Sequence, residues 1–329
     1  MTDEHGSETG ATSAGCPICG HQSLRWLPRT WALARVAFCI RCPVAVQLGA
    51  IDAPASVLQR YRRGDYWRTQ SRLGRNLEHG LLLWREVAAV RLLEEIEAML
   101  GRSVPPGTAV LEVGCGPGEL LSLLRRERIC QVWGLEPSPR EAYLAQSRHG
   151  IRVVSADGSS LPYRCSFNLI LAFHVLEHVS DPVGVVRELL GLLSSGGQLV
   201  LECPNIASPT GGMPLVQFFE PAHIWTFSHS ALERIVYLAG GVVACRSDSE
   251  FIRILVTRDL KIPHPTPFTN GTNTHTMDHG EAVWRQLNRY ASTYPCSWSR
   301  AGWVWSRLVV GICILMLLAR DALHVRVQR

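Results

Sequence analysis

The sequence predicts an α/β protein built on a doubly wound sheet, with a small cysteine-rich module before it and an apolar helix after it. Three observations support this. A glycine-rich turn joins a buried strand to a helix within 109–124, strands and helices alternate up to residue 257, and two C-x2-C pairs precede residue 43. Alternating strands and helices are typical of a sheet covered by helices on both faces.

The composition is that of a globular protein, with 329 residues, 47% hydrophobic and 19% charged. The formal net charge of +5 comes from scattered arginines, and Lys261 is the only lysine, which argues against a dedicated nucleic-acid surface. Residues 1–15 are polar and rich in glycine, serine and threonine, so we expect them to be disordered. The sequence opens with polar residues, so we expect no signal peptide. Most of the 11 cysteines stand singly among apolar residues. We therefore expect a cytoplasmic protein.

The two cysteine pairs, Cys16-Pro-Ile-Cys19 and Cys39-Ile-Arg-Cys42, are separated by nineteen residues. Each pair presents two sulfur atoms from one tight turn, and the two pairs together match a tetrahedral zinc ribbon. We predict a ribbon over 16–48 with these four cysteines as ligands of a structural zinc. Four protein thiolates leave no open position on the metal for a substrate.

The segment 49–103 is predicted as an aromatic, arginine-containing linker followed by a helix. From His79 to Leu100 apolar residues recur at helical spacing, acidic residues occupy the other face, and Gly101 is placed to end the helix.

The predicted sheet occupies 104–258, where five strands alternate with helices before two closing strands complete a set of seven. Ser138 is expected to cap the helix that follows the second strand. The predicted strands are 109–112, 131–136, 151–154, 167–172, 198–202, 242–246 and 251–257; the predicted helices between them are 138–149, 182–193 and 230–239.

Two segments follow the sheet. We expect 259–299, which is polar and rich in threonine and histidine, to be irregular, and 300–329 to form an apolar helix with a basic tail. The uncharged part, 308–319, would extend about 18 Å as a helix, short of the ~30 Å hydrocarbon core of a bilayer. A peripheral membrane contact through 303–319, at the inner face, and a helix buried in protein are equally open alternatives.

The glycine turn, Gly114-x-Gly116-x-Gly118, lies at the carboxyl end of the first strand, where doubly wound sheets bind ligands. Glu112 precedes the turn, Glu136 ends the second strand, and Asp157 follows the third. Three carboxylates at successive strand ends suit a ligand with an amine, a ribose and an adenine, and they would repel a phosphate.

The ordered motifs resemble those of the class I S-adenosylmethionine-dependent methyltransferases. The resemblance covers about 108–257 and includes Val110-Leu-Glu-Val-Gly-Cys-Gly-Pro-Gly118, Gly134-Leu-Glu136, Ala156-Asp157-Gly158 and Phe167–Val179. It implies a Rossmann-like seven-stranded methyltransferase sheet that binds S-adenosylmethionine. The implied cofactor contacts are Glu112, Gly114, Cys115, Gly116, Gly118, Glu136, Pro137, Asp157, Gly158 and His174.

Combined with the cysteine module and the aromatic linker, the domain is similar to bacterial methyltransferases of sugar and polysaccharide biosynthesis. The resulting expectation is methyl transfer to a small-molecule or glycan acceptor, which could be lipid-linked, at a hydroxyl. One alternative is an RNA methyltransferase that holds its substrate with the ribbon and the arginines of 60–75. Another is a non-catalytic scaffold that only binds the cofactor. The oligomeric state is not predicted.

The candidate reacting end is His174-Val-Leu-Glu177-His178, just past the fourth strand, together with His223 in the insertion after the fifth. A hydroxyl acceptor needs a base, and histidine suits that role, so His178, His223 and Glu177 are the catalytic candidates. If a helix starts here, His174, Glu177 and His178 share one face. A divalent cation held by His174, Glu177, His178 and His223 is the less favoured alternative, and a purely structural role for these residues is the third.

Overall fold

A computed structural model describes residues 15–32, 34–51, 59, 78–154, 166–209, 215–248, 251–258 and 274–293. The helices are α1 Leu48–Ile51, α2 Glu78–Leu100, α3 Glu119–Arg128, α4 Pro139–His149, α5 Pro182–Gly191, α6 Leu215–Phe218, α7 His229–Leu238 and α8 Thr274–Thr293. The strands are β1 Leu24–Trp26, β2 Ala37–Cys39, β3 Val44–Val46, β4 Ala109–Val113, β5 Gln131–Leu135, β6 Arg152–Val154, β7 Phe167–Phe173, β8 Leu193–Pro204, β9 Trp225–Phe227, β10 Gly241–Asp248 and β11 Phe251–Arg258.

The main sheet has seven strands in the order β10-β11-β8-β7-β4-β5-β6, which confirms the predicted fold class. Strands β4 to β8 pair in parallel, whereas β11 and β10 join antiparallel at one edge, so the sheet is mixed. The chain runs outward from β4 to β6 on one side and then returns to β7 on the other. The carboxyl ends of β4 and β7 therefore flank the topological switch point, where this class of sheet opens a ligand crevice.

The helices form where the sequence places turn residues before an apolar periodic run. Helix α3 follows Gly118, whose φ of 83° is left-handed, and it buries Leu120, Leu121, Leu123 and Leu124 against the sheet. Helix α4 begins after Ser138, whose hydroxyl accepts from the backbone N–H of Glu141, as predicted.

The cysteine module is not a separate unit in this structure. Its strands β1, β2 and β3 continue into β9, which lies in the insertion after β8, and the four strands form a second, antiparallel sheet. Val44 pairs with Phe227 and Val46 with Trp225 across the junction. We call residues 16–48 with β9 the ribbon sheet.

The prediction that 259–299 is irregular is wrong for residues 274–293, which form helix α8. This helix packs on the ribbon sheet, where Val283 and Leu287 are buried and the Trp284 ring lies 5.3 Å from that of Phe38. The signal was present in the sequence, since Val283, Leu287 and Ala291 recur every four residues. The many polar residues of the segment obscured it.

Among the helices in the described ranges, none is long and apolar enough to cross a membrane. The segment 303–319, for which a membrane contact and a buried helix were both considered, lies outside those ranges. So do the predicted disordered residues 1–14 and most of the linker between 52 and 77.

Candidate active site

The glycine turn contacts the segment that follows β7. Gly114 has a φ of 73°, and its N–H and that of Cys115 donate to the carbonyl oxygen of Leu135 at 2.7 and 3.0 Å. A Cβ atom on Gly114 would lie 2.9 Å from Cγ2 of Val175. The turn therefore sits directly beside the predicted reacting end, across the switch point between β4 and β7.

Two buried carboxylates, those of Glu112 and Glu136, lie on either side of the glycine turn in the sequence. The Glu136 carboxylate accepts from the N–H of Gly116 at 2.9 Å and from the N–H of Ser138 at 2.7 Å. Burial raises the pKa of Glu136 to about 7, although these two N–H groups oppose the shift. Burial also raises the pKa of Glu112 well above its usual range, and the negative charges of Glu119 and Glu136 add to the effect. Buried carboxylates that repel one another suit a cationic, hydroxyl-rich ligand.

The remaining predicted cofactor contacts divide into three groups. Gly118 caps α3, and Pro137 lies half-buried after β5. Cys115 packs against Gly134: a Cβ atom added to Gly134 would lie 2.5 Å from the sulfur atom of Cys115. Burial raises the pKa of the Cys115 thiol far above its usual range, so it is a packing group and not a nucleophile. Asp157 and Gly158 lie outside the described residues.

One basic side chain near these acids was missed by the sequence analysis. Nη1 of Arg85, on α2, lies 3.9 Å from Oε1 of Glu119 and 3.5 Å from Oε2 of the buried Glu141. Arg85 thus balances part of the negative charge beside the glycine turn. Its position in a long amphipathic helix gave no sign of this role.

His174, which the sequence analysis predicted as a cofactor contact, lies between two carboxylates. The 3-10 helix here covers only Leu176–His178, and His174 stands before it with a left-handed φ of 53°. Its Nδ1 lies 3.1 Å from Oε1 of Glu177, and its Nε2 lies 3.1 Å from Oε1 of Glu202. Burial alone would lower the pKa of His174, but the two carboxylates outweigh burial and raise it to about 10. His174 is therefore protonated at neutral pH and cannot serve as a base.

Glu202 belongs to a chain of charges that sequence reasoning also missed. Its second oxygen accepts from Arg253 of β11, and Nη1 of Arg253 lies 2.5 Å from Oε2 of Glu95 on α2. Both Glu202 and Arg253 are buried within the sheet. An unpaired charge at this position would be costly, so the pair fixes Glu202 as the anion that holds His174.

Glu177, His178 and His223 come together, and each of the three offers one ligand atom within 4.8 Å of the others. The His178 and His223 ring centroids are 4.9 Å apart. Nδ1 of His178 lies 2.9 Å from the carbonyl oxygen of Ala222, which can only accept, so this nitrogen carries the proton in the neutral ring. Nε2 then carries the lone pair and lies 3.9 Å from Oε1 of Glu177.

The protonation states of these three groups follow from burial and charge. Burial lowers the pKa of both imidazoles, that of His178 below its usual range and that of His223 to about 3. Burial would raise the pKa of Glu177, but the hydrogen bond and the positive charge of His174 oppose it, and the pKa is lowered to about 2. At neutral pH the site therefore contains one carboxylate beside two neutral imidazoles. Such a set can accept a proton or ligate a divalent cation.

The four predicted zinc ligands also come together. The sulfur atoms of Cys16 and Cys42 are 3.5 Å apart, those of Cys19 and Cys39 are 3.5 Å apart, and those of Cys39 and Cys42 are 3.7 Å apart. Tetrahedral zinc with Zn–S bonds of about 2.3 Å needs sulfur atoms about 3.8 Å apart. The cluster therefore has the donor set and the spacing for zinc.

Comparison with known proteins gives matches over this same region. Residues 83–244 match a family described as a methyltransferase domain. A methyltransferase of uncharacterized function from Mycobacterium sp. (strain KMS) is 38% identical over 112 residues, which are 33% of this chain and 44% of the relative. The ubiquinone biosynthesis O-methyltransferase of Xanthomonas axonopodis pv. citri (strain 306) is 33% identical over 117 residues, 33% of this chain and 48% of the relative. The 27-O-demethylrifamycin SV methyltransferase of Amycolatopsis mediterranei (strain S699) is 30% identical over 153 residues, 42% of this chain and 55% of the relative.

The chain thus spans about half the length of the relatives it matches. The matched region contains the glycine turn, both buried carboxylates and the whole 174–178 segment. The match to the methyltransferase-domain family over residues 83–244 agrees with the seven-stranded sheet and with the position of the glycine turn.

Proposed function

We propose that this protein transfers the methyl group of S-adenosylmethionine to a hydroxyl of a small-molecule or glycan acceptor. The close approach of Gly114 to Val175, whose Cγ2 would lie 2.9 Å from an added Cβ atom, is the observation that carries the proposal, since it places the glycine turn beside the segment bearing Glu177 and His178. The cofactor's sulfonium group and a neutral histidine pair would then face each other across one crevice. Two relatives, named for ubiquinone biosynthesis and for demethylrifamycin, support a small-molecule hydroxyl as acceptor.

In the proposed reaction an acceptor oxygen attacks the sulfonium methyl carbon, and the carbon–sulfur bond breaks to release S-adenosylhomocysteine. The acceptor proton passes to Nε2 of His178, whose tautomer is held by the carbonyl of Ala222. The buried Glu177 carboxylate then stabilises the imidazolium that forms. His223 completes the wall of the acceptor pocket and is the alternative base.

A divalent cation is the second candidate for activating the hydroxyl. The ligand atoms of Glu177, His178 and His223 are close enough to hold one after a small contraction, and the Nδ1 contact of His178 leaves Nε2 for a metal. His174 does not fit this set, because its two nitrogens are engaged by Glu177 and Glu202. A bound cation would polarise the acceptor hydroxyl. Activity that survives EDTA dialysis would exclude this candidate, whereas restoration by Mg²⁺ or Mn²⁺ would favour it.

The base is tested with His178→Ala and His223→Ala, while His149→Ala at the distant end of α4 serves as the control. Candidate acceptors are screened by mass shift, and affinity for S-adenosylhomocysteine is measured by calorimetry. Loss of a general base lowers turnover by about 10²–10⁴-fold. We expect a fall of that order in at least one of the two variants, with cofactor affinity within about twofold of the parent. Full turnover in both variants would contradict the proposal.

A further inference from the structure

The ribbon sheet and the acceptor side of the site share a strand. Strand β9 begins two residues after His223 and pairs with β3 along its full length. Beyond the paired residues, the N–H of Ser228 donates to the carbonyl oxygen of Pro43 at 3.1 Å. The backbone that follows His223 is therefore hydrogen-bonded to β3 and to Pro43 of the ribbon sheet.

Gln47, immediately after β3, makes the closest of these links. Its side chain is buried, and Nε2 donates to the carbonyl oxygens of Glu220 at 3.0 Å and His223 at 2.6 Å. Its backbone N–H donates to the carbonyl oxygen of Ile224 at 2.8 Å. One residue of the ribbon thus satisfies three carbonyl groups of the turn 220–224. Without the Gln47 amide, two of them would lose a buried partner.

The same turn is held from the opposite side by the segment after β7. The carbonyl oxygen of Ala222 faces Nδ1 of His178 at 2.9 Å, and Nε1 of Trp225 donates to the carbonyl oxygen of Val179 at 2.8 Å. The turn 220–224 is therefore held between the ribbon sheet and the segment after β7 that bears His178. A shift of this turn would move His223. It would also weaken the hydrogen bond from Nδ1 of His178 to the carbonyl oxygen of Ala222, which holds the His178 tautomer.

We infer that Gln47 is a positioning residue for methyl transfer: it fixes the turn that sets His223 opposite His178. The expected effect on turnover rests on the proposed function. The hydrogen bonds that hold the turn do not depend on it. Gln47 lies far from the glycine turn in sequence and has no contact with the two carboxylates that line it. Its loss should therefore affect turnover and leave cofactor binding intact.

The test uses the full chain with Gln47→Met, which keeps the length of the side chain and removes its donors. The substitution removes two hydrogen bonds, and the loss of each should raise hydrogen exchange of the amides in 220–224 by about two- to tenfold, measured by mass spectrometry. A misplacement of about 1 Å lowers turnover by up to about a hundredfold. We expect kcat on the screened acceptor to fall by at least about tenfold, with KM for S-adenosylmethionine and zinc content unchanged.

Gln22→Ala is the matched control, because Nε2 of Gln22 also donates to a carbonyl oxygen, that of Gly20 at 2.9 Å, on an exposed part of the same ribbon. It should change none of these quantities. If Gln47→Met loses its zinc, Gln47→Asn replaces it, since it keeps the amide and shortens its reach. Unchanged exchange and unchanged kcat in a folded, zinc-loaded variant would overturn the inference. Faster exchange in Gln47→Met, together with full activity in the His178→Ala and His223→Ala variants, would support the role of Gln47 in holding the turn and would contradict the proposed function.

Discussion

Gly114 shows how one residue joins the two halves of the site. Its φ of 73° is left-handed, which costs an L-amino acid about 1–2 kcal/mol, and an added Cβ atom would press on Val175 at 2.9 Å. We expect Gly114→Ala to weaken binding of S-adenosylhomocysteine by about five- to thirtyfold, which corresponds to about 1–2 kcal/mol. Isothermal titration calorimetry provides the measurement.

Gly196 provides the control for this substitution. Its φ is 74°, but an added Cβ atom there would meet nothing within 4 Å. Gly196→Ala should therefore lose stability through the backbone alone and keep full cofactor affinity. Equal loss of affinity in the two variants would show that backbone strain, and not the contact with Val175, is responsible.

Glu136 should make cofactor binding depend on pH. In the proposed complex its ionised carboxylate accepts from ribose hydroxyls, and its pKa of about 7 in the free protein means that the carboxylate is largely protonated by pH 6. By linkage, affinity should be complete above the pKa and fall by about tenfold between pH 8 and pH 6. Titrations across this range measure the slope.

The Glu136→Gln variant isolates this contribution. It should bind more weakly at pH 8 and show a smaller dependence on pH, the remainder coming from Glu112 and from the cofactor's own amine. That amine titrates in the same way with both proteins, so the difference between the two slopes reports Glu136 alone. Identical slopes would refute the assignment.

At the scale of elements, α8 depends on the close approach of a helix to the ribbon sheet. A Cβ atom on Gly280 would overlap the carbonyl oxygen of Ile40, at 1.8 Å, which a rigid backbone cannot relieve. We expect Gly280→Ala to undock α8 and lower the free energy of unfolding by about 1–3 kcal/mol, measured by denaturant titration. Gly49→Ala, in α1 with open space around the added atom, should be neutral or stabilising. A Gly280→Ala variant as stable as the parent would show that α8 docks elsewhere.

At the scale of the whole molecule, the four-cysteine cluster and the main sheet should unfold together. The ribbon strands and β9 form one sheet, and Trp225 of β9 is buried in the same apolar cluster as Cys16, Cys39 and the main-sheet residue Ile170. Structural zinc contributes folding free energy directly, so its loss should reach the turn 220–224 as well.

Cys39→Ser tests this coupling. We expect stoichiometric zinc in the parent, little in the variant, and a single thermal transition lowered by about 5–10 °C. Cys245→Ser, outside the cluster, should keep both zinc and Tm. Metal analysis and calorimetry measure the two quantities, and two separate transitions in the parent would contradict a shared cooperative unit.

Much of the fold was predictable because its signals are local. Apolar periodicity predicted the strands and helices between 79 and 257. The glycines and acids at strand ends predicted which edge of the sheet binds the ligand. The cysteine spacing likewise indicated that four sulfur atoms would converge. The fold then placed Gly114, Glu112 and Glu136 together because carboxyl ends of parallel strands share one edge.

The tertiary structure alone decided how the reacting end is assembled. Pairing of Val46 with Trp225, contact of Gln47 with His223, and the ion pair of Glu202 with Arg253 join distant parts of the chain, and no local pattern specifies such partners. The protonation states follow from the same contacts. His174 and His178 are four residues apart and begin with the same intrinsic pKa, yet two carboxylates keep one charged while burial keeps the other neutral. Sequence determines which titratable groups are present, whereas three-dimensional packing sets the solvent exclusion and neighbouring charge that assign each one its role.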